Sequence, residues 1–320
     1  MKRSNISTFI SEYACLIFLL VVLIIASFLS DDFFTLNNLQ NLLKQGSVLC
    51  VLSVGLGFIL VSGCIDLTVG VNMAIASCIV INLFDKIGTI LSILLAICVS
   101  ILISCINMFI IHISKARAME IMMITFGLKQ IYRGVAQALT RNVVYRYVKK
   151  GLFSYLGKGM IMNSIPMIAV IMLIIVIILG IVMSKTVFGR KVIYIGHNPE
   201  ASRLAGIKVN RIRLLCFVVS GICCAIAGTL LASRTGAVKA LSGDNWEMNA
   251  VCALVIGGYS MSGGFGSSWR CIVGTYVFTI IGNILNLLGA NAYLQIVVQG
   301  SVMLLAVWID VFLRVGKEAK

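Results

Sequence analysis

Eight stretches of this chain carry no charged side chain: residues 13–30, 45–65, 67–84, 87–114, 159–184, 214–233, 248–269 and 271–309. A charge at mid-bilayer costs several kcal/mol unless it is paired or faces a cavity, so long uncharged runs mark the segments able to cross. About 20 helical residues suffice for one crossing, so seven runs supply one span each. The eighth supplies two, with a turn at Leu288, Gly289, Ala290 and Asn291. A further segment, 117–139, is interrupted by Glu120, Lys129 and Arg133 and counts as a weaker candidate. The expectation is an all-α polytopic membrane protein of about ten transmembrane helices, or eight to nine as the alternative. It forms a single transmembrane domain over 1–320 with a basic loop at 185–213.

Composition agrees: 60% of residues are hydrophobic and 12% charged, against about 25% charged in an ordinary soluble domain. That excludes the usual soluble enzyme and a disordered chain. The formal net charge of +15 does not point to nucleic acid, because the bases mostly sit in short segments between apolar runs, as cytoplasmic anchors do. The eleven cysteines lie almost wholly in apolar sequence without a CxxC pair or a matching His, which predicts small buried hydrophobes and neither a disulfide framework nor a metal site. The run 13–30 follows Lys2 and Arg3 but leads into Asp31, Asp32, Phe33 and Phe34 rather than a small-residue cleavage site, so it is expected to be a retained span. With Lys2 and Arg3 inside, ten spans place Lys115, Arg117, the loop 185–213, Arg314, Lys317 and Lys320 inside, and both termini are cytoplasmic. The same arrangement puts Arg141, Arg146, Lys149 and Lys150 outside, against the positive-inside tendency.

Two places cut apolar sequence with glycine and small hydroxyl residues. One is Ser62-Gly63-Cys64-Ile65-Asp66-Leu67-Thr68-Val69-Gly70, and the other is Gly257-Gly258-Tyr259-Ser260-Met261-Ser262-Gly263-Gly264-Phe265-Gly266. Such breaks belong either to discontinuous helices along a transport path or to tight turns between closely packed helices. Their likeness suggests two homologous halves, with a parallel repeat as the expected relation. Asp66, flanked by long uncharged runs, is either an interfacial loop acid or a charge inside a cavity that fixes the turn by accepting hydrogen bonds from freed backbone donors. In the basic loop, Asn198 is placed to cap a short helix starting at Pro199, and Gly206 to end it. A short capped helix in that loop suits docking on a partner, or resting on anionic lipid.

The chain contains no GxxxxGK[ST] loop, no Rossmann glycine pattern and no nucleophile with a base; His112 and His197 fall near cytoplasmic ends. Transport against a gradient would need an external engine. Taken in order, the Cys64–Gly70 motif, Thr125-Phe126-Gly127 with Tyr132-Arg133-Gly134, Gly196-His197-Asn198-Pro199-Glu200-Ala201 with Gly206-Ile207, and Ser260–Ser267 resemble the permeases of bacterial sugar-uptake ABC transporters. The similarity runs from about residue 35 to 312, closest to the ribose, galactose, xylose and autoinducer-2 branch.

The resemblance implies a multi-pass subunit of the bacterial inner membrane that passes a small sugar or polyol inward. It implies a second permease subunit, identical or homologous, a cytoplasmic ATPase that holds the ATP and Mg, and a periplasmic or lipid-tethered sugar-binding protein. No cofactor is expected in this chain and no nucleic acid as partner. Gly189, Arg190, Asn198, Pro199, Glu200, Ala201, Gly206 and Ile207 would couple to the ATPase. Gly63, Asp66, Thr68, Gly70, Thr125, Gly127, Ser260, Ser262, Gly263 and Gly264 would form the path or its helix breaks. Trp246, Asn249, Tyr259, Asn283 and Asn286 are candidates for lining the substrate route. Arg141, Arg146, Lys149, Lys150, Asp244 and Glu247 are candidates for docking the binding protein, with Arg234 and Lys239 nearby. The chain departs from the family at Thr68, Phe126, Tyr259, Met261, Phe265 and Lys239–Gly243, and Lys129 lies deep for a spanning helix. An ion-driven secondary transporter and a non-transporting membrane assembly protein are the alternatives.

Overall fold

The computed structural model describes residues 3–147, 151–161 and 164–318. Lys149 and Lys150, two of the expected docking residues, lie outside them, as do Lys2 and Lys320. In chain order the elements are α1 (Arg3–Leu29), α2 (Leu36–Val61), α3 (Val69–Ile87), α4 (Thr89–Ile113), α5 (Ala118–Thr140), β1 (Tyr145–Arg146), α6 (Leu152–Lys158), β2 (Met160–Ile161) and β3 (Ile165–Pro166). They continue with α7 (Met167–Lys185), α8 (Val187–His197), α9 (Pro199–Leu204), α10 (Val209–Thr235), β4 (Ala237–Val238), α11 (Trp246–Ile256), α12 (Ser268–Leu287) and α13 (Ala292–Glu318). The strands are two-residue clips: β1 pairs antiparallel with β4, and β2 with β3.

Six helices among the described residues are long and apolar enough to cross a membrane: α2, α3, α4, α7, α10 and α12. The expected turn after α12 is present, with Gly289 at φ +67° and Asn291 Oδ1 accepting from Leu294 N at 2.8 Å. The run 248–269 is not the full span expected of it. Its helix, α11, has 11 residues, about 16 Å of rise against roughly 30 Å of hydrocarbon, and the remainder of the run is the glycine-rich turn. The segment 117–139 forms one unbroken helix, α5, whose charged side chains are handled by pairing. Both prolines sit where their missing N–H costs nothing, Pro166 just before α7 and Pro199 at the first turn of α9.

The centre of the molecule is α2 packed against α10, with α3 and α4 on one side and α11 and α12 on the other. Lipid tails are as apolar as leucine, so helices associate here through close approach of small residues rather than a hydrophobic drive. Gly55 of α2 faces Cys223 and Ser220 of α10, Gly221 of α10 faces Ser100 and Ser104 of α4, and Gly228 of α10 faces Met73, Ala76 and Ser77 of α3. The cysteines serve the same packing: all eleven are free and nine are buried. The larger apolar side chains of α1, α4 and α7, such as Phe28, Phe109 and Ile177, point outward. At one end, Phe84 of α3, Tyr147 and Phe153 of α6 cluster with ring centroids 4.6 to 5.6 Å apart, which holds Tyr147 and α6 against α3. Gly228→Leu, whose side chain would run into the Met73 carbonyl, is expected to cost about 1–3 kcal/mol or more by overpacking. Detergent-solubilised protein should then show a sharply lower yield and melting temperature, and an unchanged melting curve would contradict this packing.

Candidate functional site

The two glycine breaks meet each other and the end of α8. A membrane helix that ends at depth leaves backbone groups needing partners inside the protein. Gly264 N–H donates to the carbonyl of Val61, the last residue of α2, at 2.8 Å. Gly263, at φ +90°, lies against Gly63, itself at φ +78°, and Gly196 of α8 is pressed between Val61 and Gly264. A side chain at Gly196 would collide with the backbone of both, and one at Gly264 with the ring of His197. Residues far apart in sequence thus share one backbone-to-backbone contact. Beyond it, Thr186 caps α8 by accepting from Gly189 N at 3.2 Å, and Asn198 caps α9 by accepting from Ala201 N at 2.9 Å. Gly206, at φ +81°, ends that turn. The segment 186–207 is therefore a capped elbow seated on both breaks, and Leu204 at its tip is 91% exposed.

A chain of polar contacts rises from the first break. Asp66 is buried and its Oδ1 accepts from Thr68 N and Thr68 Oγ1, both at 2.8 Å. Asn107 Nδ2 of α4 donates to Thr68 Oγ1 at 2.7 Å, and Tyr132 of α5 donates from its hydroxyl to Asn107 Oδ1 at 2.8 Å. Thr125 of α5 accepts from Leu67 N at 3.2 Å. Asp66 thus accepts from the backbone of the turn, and the network ties the break to α4 and α5. Further along α5, Lys129 pairs with Glu247 of α11, and Arg133 with Asp244 at 2.9 Å. The starts of α3 and α11 meet at this level, with Gly70 lying against Gly243 and Glu247. No group of three or more His, Cys, Asp or Glu able to hold a metal occurs among the described residues.

Residues 38–307 match the family model described as "Branched-chain amino acid transport system / permease component". The chain belongs to that permease family, in its bacterial sugar-uptake branch. It is 30% identical over 311 residues to the "Ribose import permease protein RbsC" of Bacillus subtilis, covering 97% of this chain and 95% of that one. The protein of the same description from Haemophilus influenzae is 30% identical over 317 residues, covering 98% and 97%. The "Galactose/methyl galactoside import permease protein MglC" of Escherichia coli is 28% identical over 330 residues, covering 97% of each. No solved structure matches.

In this permease the residues expected along the path separate into groups. Gly63, Ser260, Ser262, Gly263 and Gly264 belong to the junction of the breaks, and Asp66, Thr68 and Thr125 to the polar chain above it. Gly70 marks the start of α3, whereas Gly127 looks outward with nothing near it. Of the expected coupling residues, Gly189 is packed on the end of α7, Arg190 is exposed with Nη1 3.5 Å from the Lys185 carbonyl, and Glu200 pairs with Arg203 at 3.0 Å. Ile207 N closes the α9 turn on Ser202 O at 2.9 Å, and Pro199 and Ala201 form its first turn.

The lining and docking candidates fall in different surroundings. Asn283 is locked into a reciprocal amide pair with Asn38 at 3.0 and 2.8 Å, which uses its polar atoms for packing α12 on α2. Tyr259 is buried between Gly57 and Gly266. Trp246 and Asn249 are half-buried at the start of α11, and Asn286 is exposed and bonded to Gln295 at 2.9 Å. Glu247 has no exposure, so it does not lie on a docking surface; Asp244 is engaged by Arg133, whereas Arg141 and Arg146 are exposed. The sequence reading missed Asn107, and it missed Gly196 as a contact of the breaks. An asparagine inside a 28-residue uncharged run was the available signal for the first.

If Asp66 serves the turn, the acceptor is what matters and not the charge. Asp66→Asn, which keeps an Oδ1 acceptor, is expected to retain most of the melting temperature in detergent. Asp66→Ala strands the Thr68 donors in a buried site and should destabilise by about 1–3 kcal/mol. Equal melting of the two variants would contradict this role.

Proposed function

We propose that this chain is the membrane subunit of an ATP-driven importer that passes a small sugar or sugar-like polyol into the cytoplasm. The observation that carries the reading is the seating of the α8–α9 elbow on both helix breaks: a force applied at the capped tip reaches the end of α2 and the turn between α11 and α12 through backbone contacts that leave no room for a side chain. A rigid docked element of this kind is what converts closure of a partner into movement of a passage. The relatives named for ribose and galactose import make a polyhydroxylated solute the favoured cargo. ATP and Mg would reside on a separate ATPase, a second permease subunit would complete the passage, and a periplasmic or lipid-tethered binding protein would deliver the solute.

In the same reading α1, α5 and α13 also cross, and α3 and α11 begin near mid-membrane, which gives the ten-segment arrangement with both termini cytoplasmic in a bacterial inner membrane. The order of packing supports an inverted rather than a parallel relation between halves. Helix α3 lies on α4 and α10 as α11 lies on α12 and α2, and the starts of α3 and α11 meet head to head. The counterpart of the first break is then the connection 236–245, not 257–266.

The test is co-purification of the tagged chain with its candidate ATPase, followed by ATP hydrolysis and uptake in liposomes with binding protein and candidate sugars. Wild type is expected to be stimulated by one loaded binding protein. Gly196→Leu, which forces the elbow off the breaks, should lose uptake by at least about tenfold while still binding the ATPase. A chain that recruits no ATPase and moves solute under an ion gradient would overturn the reading.

A further inference from the structure

Helix α5 meets the rest of the molecule through the buried Ile121 and Leu128 and through a row of polar groups. Thr125, Lys129, Tyr132 and Arg133 are spaced by four, three and one residues, which aligns them along one helical face. Each has its own partner: the backbone of Leu67, Glu247, Asn107 and Asp244. On the same helix Phe126, Ile131, Val135 and Leu139 are exposed. Interhelical hydrogen bonds act beside close packing in holding helices together in lipid, and this seam supplies them for α5.

Lys129 and Glu247 are the most demanding contact in the seam. The Glu247 side chain has 0% exposure and that of Lys129 11%. One Glu247 oxygen takes the lysine; the other, Oε2, has no hydrogen-bond partner and lies against Gly70 in the first turn of α3. Glu247 is itself in the first turn of α11. Helix N-termini carry partial positive charge, so two of them favour an anion at this point. The carboxylate is thereby fixed by α3 and α11, and the lysine is the partner that belongs to a different helix. A buried ion pair is poor evidence of stability, since apolar residues of the same volume often serve as well. What it supplies is a directional contact between two elements that is either made or broken.

We propose that Lys129 and Glu247 are positioning residues of the transport cycle, forming with Arg133 and Asp244 a latch that holds α5 on the start of α11 until the passage opens. This rests on the permease reading and adds to it the element that moves and the contact that restrains it. In the assembled complex, the latch predicts that removing the charges loosens α5 and frees ATP hydrolysis from control by the loaded binding protein.

The experiment compares wild type with Lys129→Met/Glu247→Gln, which keeps the volumes and leaves no charge unpaired, and with Lys129→Arg. The readout is the ratio of ATP hydrolysis with and without loaded binding protein, alongside uptake, at equal abundance in the membrane. The charge-free variant should lower the ratio at least about fivefold by raising unstimulated hydrolysis, with uptake falling, while Lys129→Arg stays near wild type. A charge-free variant with wild-type ratio and uptake overturns the latch and leaves the permease function standing. Should that variant not accumulate, Lys129→Gln is compared with Lys129→Arg on the same ratio: a drop in the first alone supports the latch, and equal ratios overturn it. A wild-type chain that recruits no ATPase overturns the underlying reading, and the latch with it.

Discussion

The hydrogen bond from Gly264 N–H to the Val61 carbonyl closes the gap that two interrupted membrane helices would otherwise leave open. Helix breaks at membrane depth survive only where their backbone groups find partners within the protein. Here the partners are the two breaks themselves, and Gly196 of α8 completes the contact. Glycine is required by conformation at Gly63 and Gly263, both in the left-handed region, and by space at Gly196. The consequence is mechanical: the elbow 186–207, the end of α2 and the turn before α12 form one piece built from backbone contacts.

Above this piece the chemistry changes from backbone to side chains. Asp66, Thr68, Asn107 and Tyr132 link the first break, α4 and α5 through short hydrogen bonds, and each member satisfies the next. Satisfied buried networks specify a single arrangement, whereas partly satisfied ones are costly. The ion pairs along α5 differ in kind, because they join a sparsely packed helix to the half-helix α11 rather than closing a turn. The region where the starts of α3 and α11 meet therefore combines a rigid floor with a wall held by charge.

The spans and turns were readable from the sequence wherever one local rule decided them. Uncharged runs marked α2, α4, α7, α10 and α12, Gly289 and Asn291 marked the turn after α12, and Asn198 with Pro199 marked α9. The reading failed where burial and length had to be known together. The run 248–269 has span-like composition but holds an 11-residue helix, since its second half is consumed by the turn that bonds Val61. Glu247 looked like an exposed loop acid because its partner, Lys129, is 118 residues away. Asp66 was recognised, yet the choice between interfacial acid and buried turn-fixer needed Thr68 and Asn107 in space. That two similar glycine breaks meet each other is a tertiary fact with no local signature.

The central claim is that the elbow and both breaks move as one body while α5 moves relative to it. Spin labels at Ala201 and Phe265, and in a second sample at Ala201 and Gly134, all exposed positions, would be read by pulsed electron resonance in the assembled complex before and after ATP binding. The account predicts an unchanged distance distribution for the first pair and a shifted one for the second. A shift between Ala201 and Phe265 with none between Ala201 and Gly134 would contradict it.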